Sequence, residues 1–160
     1  MPLALIRPLQ PSDLAEVVAV YRDAVISQTQ GLYTAEQIRA WADHAQSDEQ
    51  FEQTVLRGCG VASCAHEDCR RIEAFAVLDP ADRLALLYCR GRSSRQGRAS
   101  SLLRVLEERA LSCGMSRLRT EASQLSRPLL ERHGWRVEAE ERLLFAGVIF
   151  DRWLMIKDLR

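Results

Sequence analysis

The sequence predicts an α/β fold built on a mixed β-sheet, and three observations support this. Short apolar segments at 58–65, 71–78 and 83–90 follow one another with brief turns, a pattern typical of an antiparallel meander. A helical repeat of apolar residues then covers 97–113, and the alternating segment 117–122 follows it. Because a helix joins the strands 83–90 and 117–122, these two strands are expected to pair in parallel.

The composition is that of an ordinary globular protein, with 47% hydrophobic and 28% charged residues. A length of 160 residues predicts a single domain, 1–160. The formal net charge of zero argues against non-specific binding to nucleic acid. The N-terminal apolar run is too short for a signal peptide, and no segment reaches membrane-spanning length. We therefore expect a cytoplasmic protein that binds neither nucleic acid nor membrane.

The N-terminal third is predicted to contain one strand and three helices. Residues 3–8 form the strand, and Asp13 marks the start of the first helix. Thr34 with Gln37 is a capping-box pattern that begins a second, short helix. A third helix is expected over residues 47–56.

The stretch 83–104 carries the strongest functional signal. It reads as a buried strand, a loop rich in arginine, serine and glycine, and the first turns of an amphipathic helix. A helix N-terminus attracts anions because its first N–H groups lack partners, and Gly97 has no Cβ to obstruct a phosphate. Six arginines and no acidic residue add long-range attraction. We interpret the stretch as a pyrophosphate cradle.

The C-terminal part completes the sheet. Residues 126–134 are predicted to form a helix, with Pro128 in its first turn and Gly134 at its end. Residues 135–139 and 148–157 would supply the last two strands. The final strand is also a candidate edge for a homodimer.

Three segments resemble the GNAT superfamily of acyl-CoA-dependent N-acyltransferases. Residues 94–99 (SRQGRA) are similar to its (Gln/Arg)-x-x-Gly-x-(Gly/Ala) loop, with Ser94 where Gln or Arg is usual. The segment YTAEQIRAWA resembles one found in a bacterial branch of acetyltransferases, and residues 122–135 resemble a signature that ends in Gly-Phe, here Gly-Trp135. The resemblance implies an about seven-stranded, mostly antiparallel sheet with a splayed central parallel pair and four to five helices.

The resemblance also implies a function. It points to an N-acetyltransferase that moves an acetyl group from acetyl-CoA to an amine by direct transfer in a ternary complex, with a small-molecule or peptide acceptor and no metal. Tyr33 and Trp41 are then candidates for the acceptor pocket. The residues expected to bind coenzyme A follow the strand, the loop and the next helices: Tyr88, Cys89, Arg90, Ser94, Arg95, Gln96, Gly97, Arg98, Ala99, Ser100 and Ser126.

Acyl transfer to an amine needs a base for the amine and benefits from a proton donor for the thiolate. Leu130 occupies the position where many GNAT enzymes carry a donor tyrosine. Glu121 is the candidate base, Tyr88 a candidate donor, and Ser123 a candidate partner of the pantetheine or the thiol. Glu73 and Asp79 are weaker candidates for the base, and His133 is read as structural. Cys89 as a covalent nucleophile would need a neighbouring base.

Two alternatives remain open from the sequence. Ser94 and Leu130 are compatible with a degenerate protein that binds acyl-CoA without turnover. The run Cys59, Cys64 and Cys69, with His66 inside it, invites a metal hypothesis, although the spacing favours a simple β-hairpin. The five cysteines are expected to be reduced thiols.

Overall fold

The computed structural model describes residues 5–160 as a seven-stranded sheet with helices on both faces. The strands are β1 (Ile6–Pro8), β2 (Cys59–Ala65), β3 (Asp68–Leu78), β4 (Arg83–Cys89), β5 (Arg117–Ala122), β6 (Arg136–Phe145) and β7 (Val148–Asp158). Their order across the sheet is β1-β2-β3-β4-β5-β7-β6. Neighbours run antiparallel except β4 and β5, which are parallel. The mixed sheet with one central parallel pair is therefore confirmed.

Five α-helices cover the sheet: α1 (Leu14–Gln28), α2 (Ala35–Ser47), α3 (Glu49–Arg57), α4 (Arg98–Ser112) and α5 (Arg127–Arg132). Thr34 begins α2 with the predicted capping box, because its hydroxyl accepts from the Gln37 N–H. The third helix begins at Glu49, two residues after the start of the expected range 47–56, and the Asp48 side chain caps it by accepting from the Gln50 N–H. Among residues 5–160, no helix is both long and apolar enough to cross a membrane.

Two apolar cores lie on opposite faces of the sheet. On one face, α1, α2 and α3 pack Tyr21, Trp41 and Phe51 against the sheet residue Phe75. On the other face, α4 and α5 pack on β3 and β5, where Ala74 and Ala76 of β3 present only small side chains. Small residues on the sheet allow α4 to approach it closely. The sheet thus separates a three-helix layer from a two-helix layer.

The two ends of the sheet differ from the sequence prediction. The predicted first strand is observed from Ile6 to Pro8, and residues 3 and 4 lie outside the described part of the chain. β6 extends to Phe145, well past the predicted end at residue 139, because its outer half pairs with β7 in a long hairpin. The expectation that the last strand forms a free edge is wrong, since β7 lies between β5 and β6.

Candidate functional site

The site begins where the central parallel pair opens. β4 and β5 are paired only at Arg83–Arg119 and Leu84–Thr120, and the Thr120 Oγ1 donates to the Leu84 carbonyl at 2.6 Å. Beyond this point β4 follows β3 while β5 follows β7 over its whole length. The predicted splay is therefore present, and it leaves one edge of β4 without a neighbouring strand.

The hydrogen bonds of β4 show which backbone groups face this opening. The Arg90 N–H donates to the Glu73 carbonyl of β3 at 2.8 Å. Because successive residues of a strand point their N–H groups to opposite sides, Tyr88 also faces β3, whereas Leu87 and Cys89 face the opening. Of the residues Tyr88, Cys89 and Arg90, which are expected to bind coenzyme A, Cys89 alone turns its backbone N–H towards the opening, and Leu87, which is not among them, does the same. The side-chain amide of Gln28 already donates to the Cys89 carbonyl.

The predicted anion-binding loop follows β4. Gly97 has φ +82°, a conformation that L side chains rarely adopt, and a Cβ there would point into open space. Within the described residues, no side chain caps the start of α4. The first helical bond runs from the Ser101 N–H to the Gly97 carbonyl, so the N–H groups of residues 98–100 are available to an anion.

Most arginines of the stretch 83–104 have structural roles. Arg83, Arg90 and Arg92 form ion pairs with Glu121, Glu16 and Glu73 respectively. Arg98 is 8% exposed, and its guanidinium donates to the Ser63 hydroxyl and the Cys64 carbonyl, away from the loop. Arg95 lies in the loop, and no carboxylate of residues 5–160 is within ion-pair distance of it. Ion pairs therefore neutralise three of the six arginines, which weakens the long-range attraction expected from the sequence.

Glu73 holds the loop in place. Its carboxylate is 3% exposed and accepts from the Arg92 guanidinium at 2.9 and 2.7 Å and from the Ser93 hydroxyl. The Arg92 contact lowers the pKa of Glu73 to about 2 despite the opposing effect of burial. The Ser94 hydroxyl donates to the Gly91 carbonyl at 2.8 Å and closes the turn before the loop. Because Glu73 is buried and its pKa is about 2, its carboxylate is unsuited to act as a general base.

An aromatic wall lies on the three-helix side of the opening. Trp41 Nε1 donates to the Tyr88 hydroxyl at 3.3 Å, and the Tyr33 ring packs edge-on against Trp41 with 5.3 Å between centroids. Phe150 of β7 contacts both Tyr33 and Trp41. Burial raises the pKa of Tyr88 to about 12. The wall joins α2, the loop before it, β4 and β7, which the sequence alone did not bring together.

The other polar residues expected to take part in catalysis or in coenzyme A binding lie at the end of β5 and at the starts of α4 and α5. Glu121 accepts from Arg83 Nε with 3.2 and 3.0 Å to its two oxygens, so its carboxylate is fixed. Ser123 and Ser126 satisfy each other's backbone N–H groups at the start of α5, at 3.0 and 3.1 Å. The Ser100 hydroxyl lies 2.8 Å from His133 Nε2.

The cysteines have no arrangement suited to catalysis or to a metal. Burial raises the pKa of the Cys89 thiol to about 11, which leaves little thiolate at neutral pH. All five cysteines are free thiols; Cys64 is buried and Cys69 is exposed. No group of three or more potential metal ligands occurs among residues 5–160. The part of the chain that the structure describes offers no support for the cysteine-hairpin metal hypothesis.

One cavity of about 1720 Å³ connects these features. Its loop side, on the two-helix face, is lined by Ser93–Arg95, Gly97–Ser100, Ser126 and Leu129. Its aromatic side, on the three-helix face, is lined by Tyr33, Trp41, Tyr88, Phe145 and Phe150. Leu84–Cys89 of β4 and Thr120–Ala122 of β5 also line the cavity, so it passes through the opening between these two strands. The arrangement can hold an anionic group on one face while the attached chain reaches the other.

The chain is similar to known proteins in both sequence and structure. The model of a family described as "Acetyltransferase (GNAT) domain" matches residues 30–155. The uncharacterized N-acetyltransferase YafP of Escherichia coli (strain K12) is 26% identical over 152 residues, which cover 94% of this chain and 93% of YafP.

Two solved structures share the whole architecture. A GCN5-related N-acetyltransferase from Rhodopseudomonas palustris superposes with a TM-score of 0.92 at 22% identity, over 99% of this chain and 98% of the other. The PaiA N-acetyltransferase of Thermoplasma acidophilum, solved in complex with coenzyme A, gives a TM-score of 0.75 at 19% identity, over 99% of both chains. The predicted fold is confirmed by this likeness.

Proposed function

The chain belongs to the GNAT family of acetyltransferases, and from this premise we propose that it is an acetyl-CoA-dependent N-acetyltransferase. The acetyl group would pass directly to an amine in a ternary complex. The observation that carries the proposal is the cavity that crosses the sheet at the β4–β5 opening, next to an uncapped helix N-terminus. Support also comes from PaiA, which was solved with coenzyme A.

The chain fits coenzyme A at its loop side. The N–H groups of residues 98–100 would bind the pyrophosphate, and Gly97 leaves room for it because a Cβ there would occupy that open space. Of the predicted side chains, Arg95 is available to an anion. Arg98 would contribute its backbone N–H only, since its guanidinium is bound to β2.

The free edge of β4 would hold the pantetheine arm. An unpaired strand edge offers N–H and C=O groups at regular spacing, which suits an amide-bearing chain. Leu87 and Cys89 would provide these groups, and the acetyl thioester would then lie in the opening near Ser123. Coenzyme A would supply the activated acetyl group, and the protein would supply its position.

Glu121 is our proposal for the general base. It lies on β5 directly after the last residue paired with β4, and it lines the cavity. Arg83 orients its carboxylate, which could accept a proton from the amine directly or through a water molecule. Direct transfer is favoured over a Cys89 acyl-enzyme because burial keeps that thiol protonated.

The acceptor is proposed to be a small-molecule or peptide amine that enters from the aromatic side. Trp41, Phe150 and Phe145 form an apolar surface there, while His44 and Asp48 add a polar pair at 2.8 Å. A homodimer and a cytoplasmic location stay predictions.

The decisive experiment combines ligand binding with turnover. Thermal unfolding with acetyl-CoA, ATP and NAD should show stabilisation by acetyl-CoA alone, about 2.7 kcal/mol at a hundredfold excess over the dissociation constant. Release of the coenzyme A thiol is then followed over a panel of small amines and peptides. Stabilisation with thiol release would support the proposal, and stabilisation without release from any amine would favour the non-catalytic acyl-CoA binder. No stabilisation by acetyl-CoA would overturn the proposal.

A further inference from the structure

Departure of the thiolate benefits from a proton donor, but the side chain at position 130 cannot donate. Leu130 is 1% exposed and packs in the core beneath α4 and α5. A donor must therefore come from another element that reaches the opening. Three tyrosines occur in the chain, Tyr21, Tyr33 and Tyr88, and all three line the cavity.

A backbone N–H group just beyond β5 holds the hydroxyl of Tyr33 at the end of that strand. The Gln124 N–H donates to the Tyr33 hydroxyl oxygen at 2.8 Å, and Gln124 lies two residues beyond the end of β5. Because the oxygen accepts this bond, the hydrogen of the phenol is free to donate elsewhere. The ring is fixed by Trp41 and Phe150, and the Tyr33 N–H donates to the Thr29 carbonyl at 3.2 Å. The hydroxyl is thus oriented before any ligand binds.

The protonation state of Tyr33 suits a donor. Burial raises its pKa above the usual value, and this effect exceeds the opposing contacts with the Gln124 N–H and the Ser123 hydroxyl. The phenol therefore carries its proton at neutral pH. Ser123 is the residue next to the end of β5, so Tyr33 lies on the arm of the opening opposite β4.

Tyr21 and Tyr88 are placed less favourably. Tyr21 is 2% exposed, and its ring lies 4.6 Å from that of Tyr88. Tyr88 is enclosed by Tyr21, Phe75 and Trp41, and its hydroxyl faces Trp41 Nε1 on the three-helix side. Both Tyr88 and Tyr33 belong to the aromatic wall, but Tyr33 also contacts Gln124 at the strand end beside which the thioester would lie.

We propose that Tyr33 donates the proton to the leaving sulfur of coenzyme A, an inference that rests on the proposed function. The amine nitrogen forms a bond to the acetyl carbon, and the carbon–sulfur bond breaks with its electron pair left on sulfur. The sulfur takes the phenolic proton of Tyr33. Glu121 takes the proton lost by the amine, and exchange with solvent through the cavity restores both groups. The products are the amide and the thiol of coenzyme A.

The test measures the thiol of bound coenzyme A and needs no acceptor. Carbon-13 NMR of coenzyme A labelled at the carbon next to sulfur reports the thiol pKa in complexes with the wild type, Tyr33→Phe and Tyr88→Phe. A donor at Tyr33 stabilises the thiolate, so Tyr33→Phe should raise that pKa by about one to two units, as a hydrogen bond to a charged group predicts. Tyr88→Phe should leave it close to the wild-type value.

The outcomes separate this inference from the proposed function. If coenzyme A does not bind the wild type, the proposed function fails. If it binds and Tyr33→Phe leaves the thiol pKa unchanged, or if Tyr88→Phe raises it instead, the role of Tyr33 is refuted. Should Tyr33→Phe fail to fold, fluorotyrosine at position 33 keeps the ring and the hydroxyl but donates more strongly. The bound thiol pKa must then fall below that of the wild type, and an unchanged value refutes the proposal.

Discussion

The two sides of the cavity are built in different ways. The loop side offers the main-chain N–H groups of residues 98–100, and the conformation of the loop before them depends on Gly97 and on the contacts of Glu73. The aromatic side consists of side chains from five separate elements: the loop before α2, α2, β4, β6 and β7. Main-chain groups present the same chemistry whatever the neighbouring side chains are. The loop side is therefore suited to an invariant ligand, and the aromatic side to determining which amine reacts.

The largest effect on acetyl-CoA binding is expected when the loop side alone is blocked. Gly97→Glu places a carboxylate in the space open to the anion, so it should abolish the stabilisation by acetyl-CoA, about 2.7 kcal/mol at a hundredfold ligand excess. Thermal unfolding with and without acetyl-CoA measures the effect.

The matched control for this variant is Gly114→Glu. Gly114 has φ +87° against +82° for Gly97, and a Cβ at either position meets nothing within 4 Å. The two variants therefore carry similar backbone strain, but Gly114 follows the far end of α4. Gly114→Glu should keep the acetyl-CoA response. Retained stabilisation in Gly97→Glu would contradict the assignment of the loop side.

A smaller effect, on catalysis and not on acetyl-CoA binding, is expected from a change at Glu121, which lies between the loop side and the aromatic side. Glu121→Gln removes the proposed base but keeps the size of the side chain, so kcat should fall about 100-fold while acetyl-CoA still binds. The rising limb of the pH–rate profile, followed by thiol release, should flatten. Glu131→Gln is the control, because Glu131 pairs only with Arg127 on the exposed surface of α5. A pH–rate profile identical to that of the wild type would remove Glu121 from the mechanism.

The difference between a loop side built from one segment and an aromatic side built from distant segments explains how much could be predicted from the sequence. The loop side is contiguous, so Gly97 and the periodic apolar residues of α4 predict its backbone arrangement of a loop followed by a helix start. The ion pairs of Arg90 and Arg92 join residues 74 and 19 positions apart, and no local pattern indicates them. The bond between Gln124 and Tyr33 spans 91 residues. A periodic pattern predicts which face of an element is buried, but it does not indicate which distant side chain meets it.

The smallest effect is expected from a change at Glu73, which holds the loop in place but does not contact the ligand. Glu73→Gln removes the charge that binds Arg92 and Ser93, so the free energy of unfolding at neutral pH should fall by about 2 kcal/mol. Urea denaturation measures this change. Glu131→Gln, which breaks an exposed pair, should change the free energy by less than about 0.5 kcal/mol.

The pH dependence of the free energy of unfolding tests whether the charge of the Glu73 carboxylate causes this stabilisation. The pKa of Glu73 is about 2 in the folded protein and near 4.5 ordinarily, so protons bind the unfolded chain more tightly. The stabilisation is therefore complete above about pH 4.5 and is lost as the pH falls towards 2. The difference between the wild type and Glu73→Gln should shrink over this range. A difference that stays constant with pH would show that packing of the side chain, and not its charge, holds the loop.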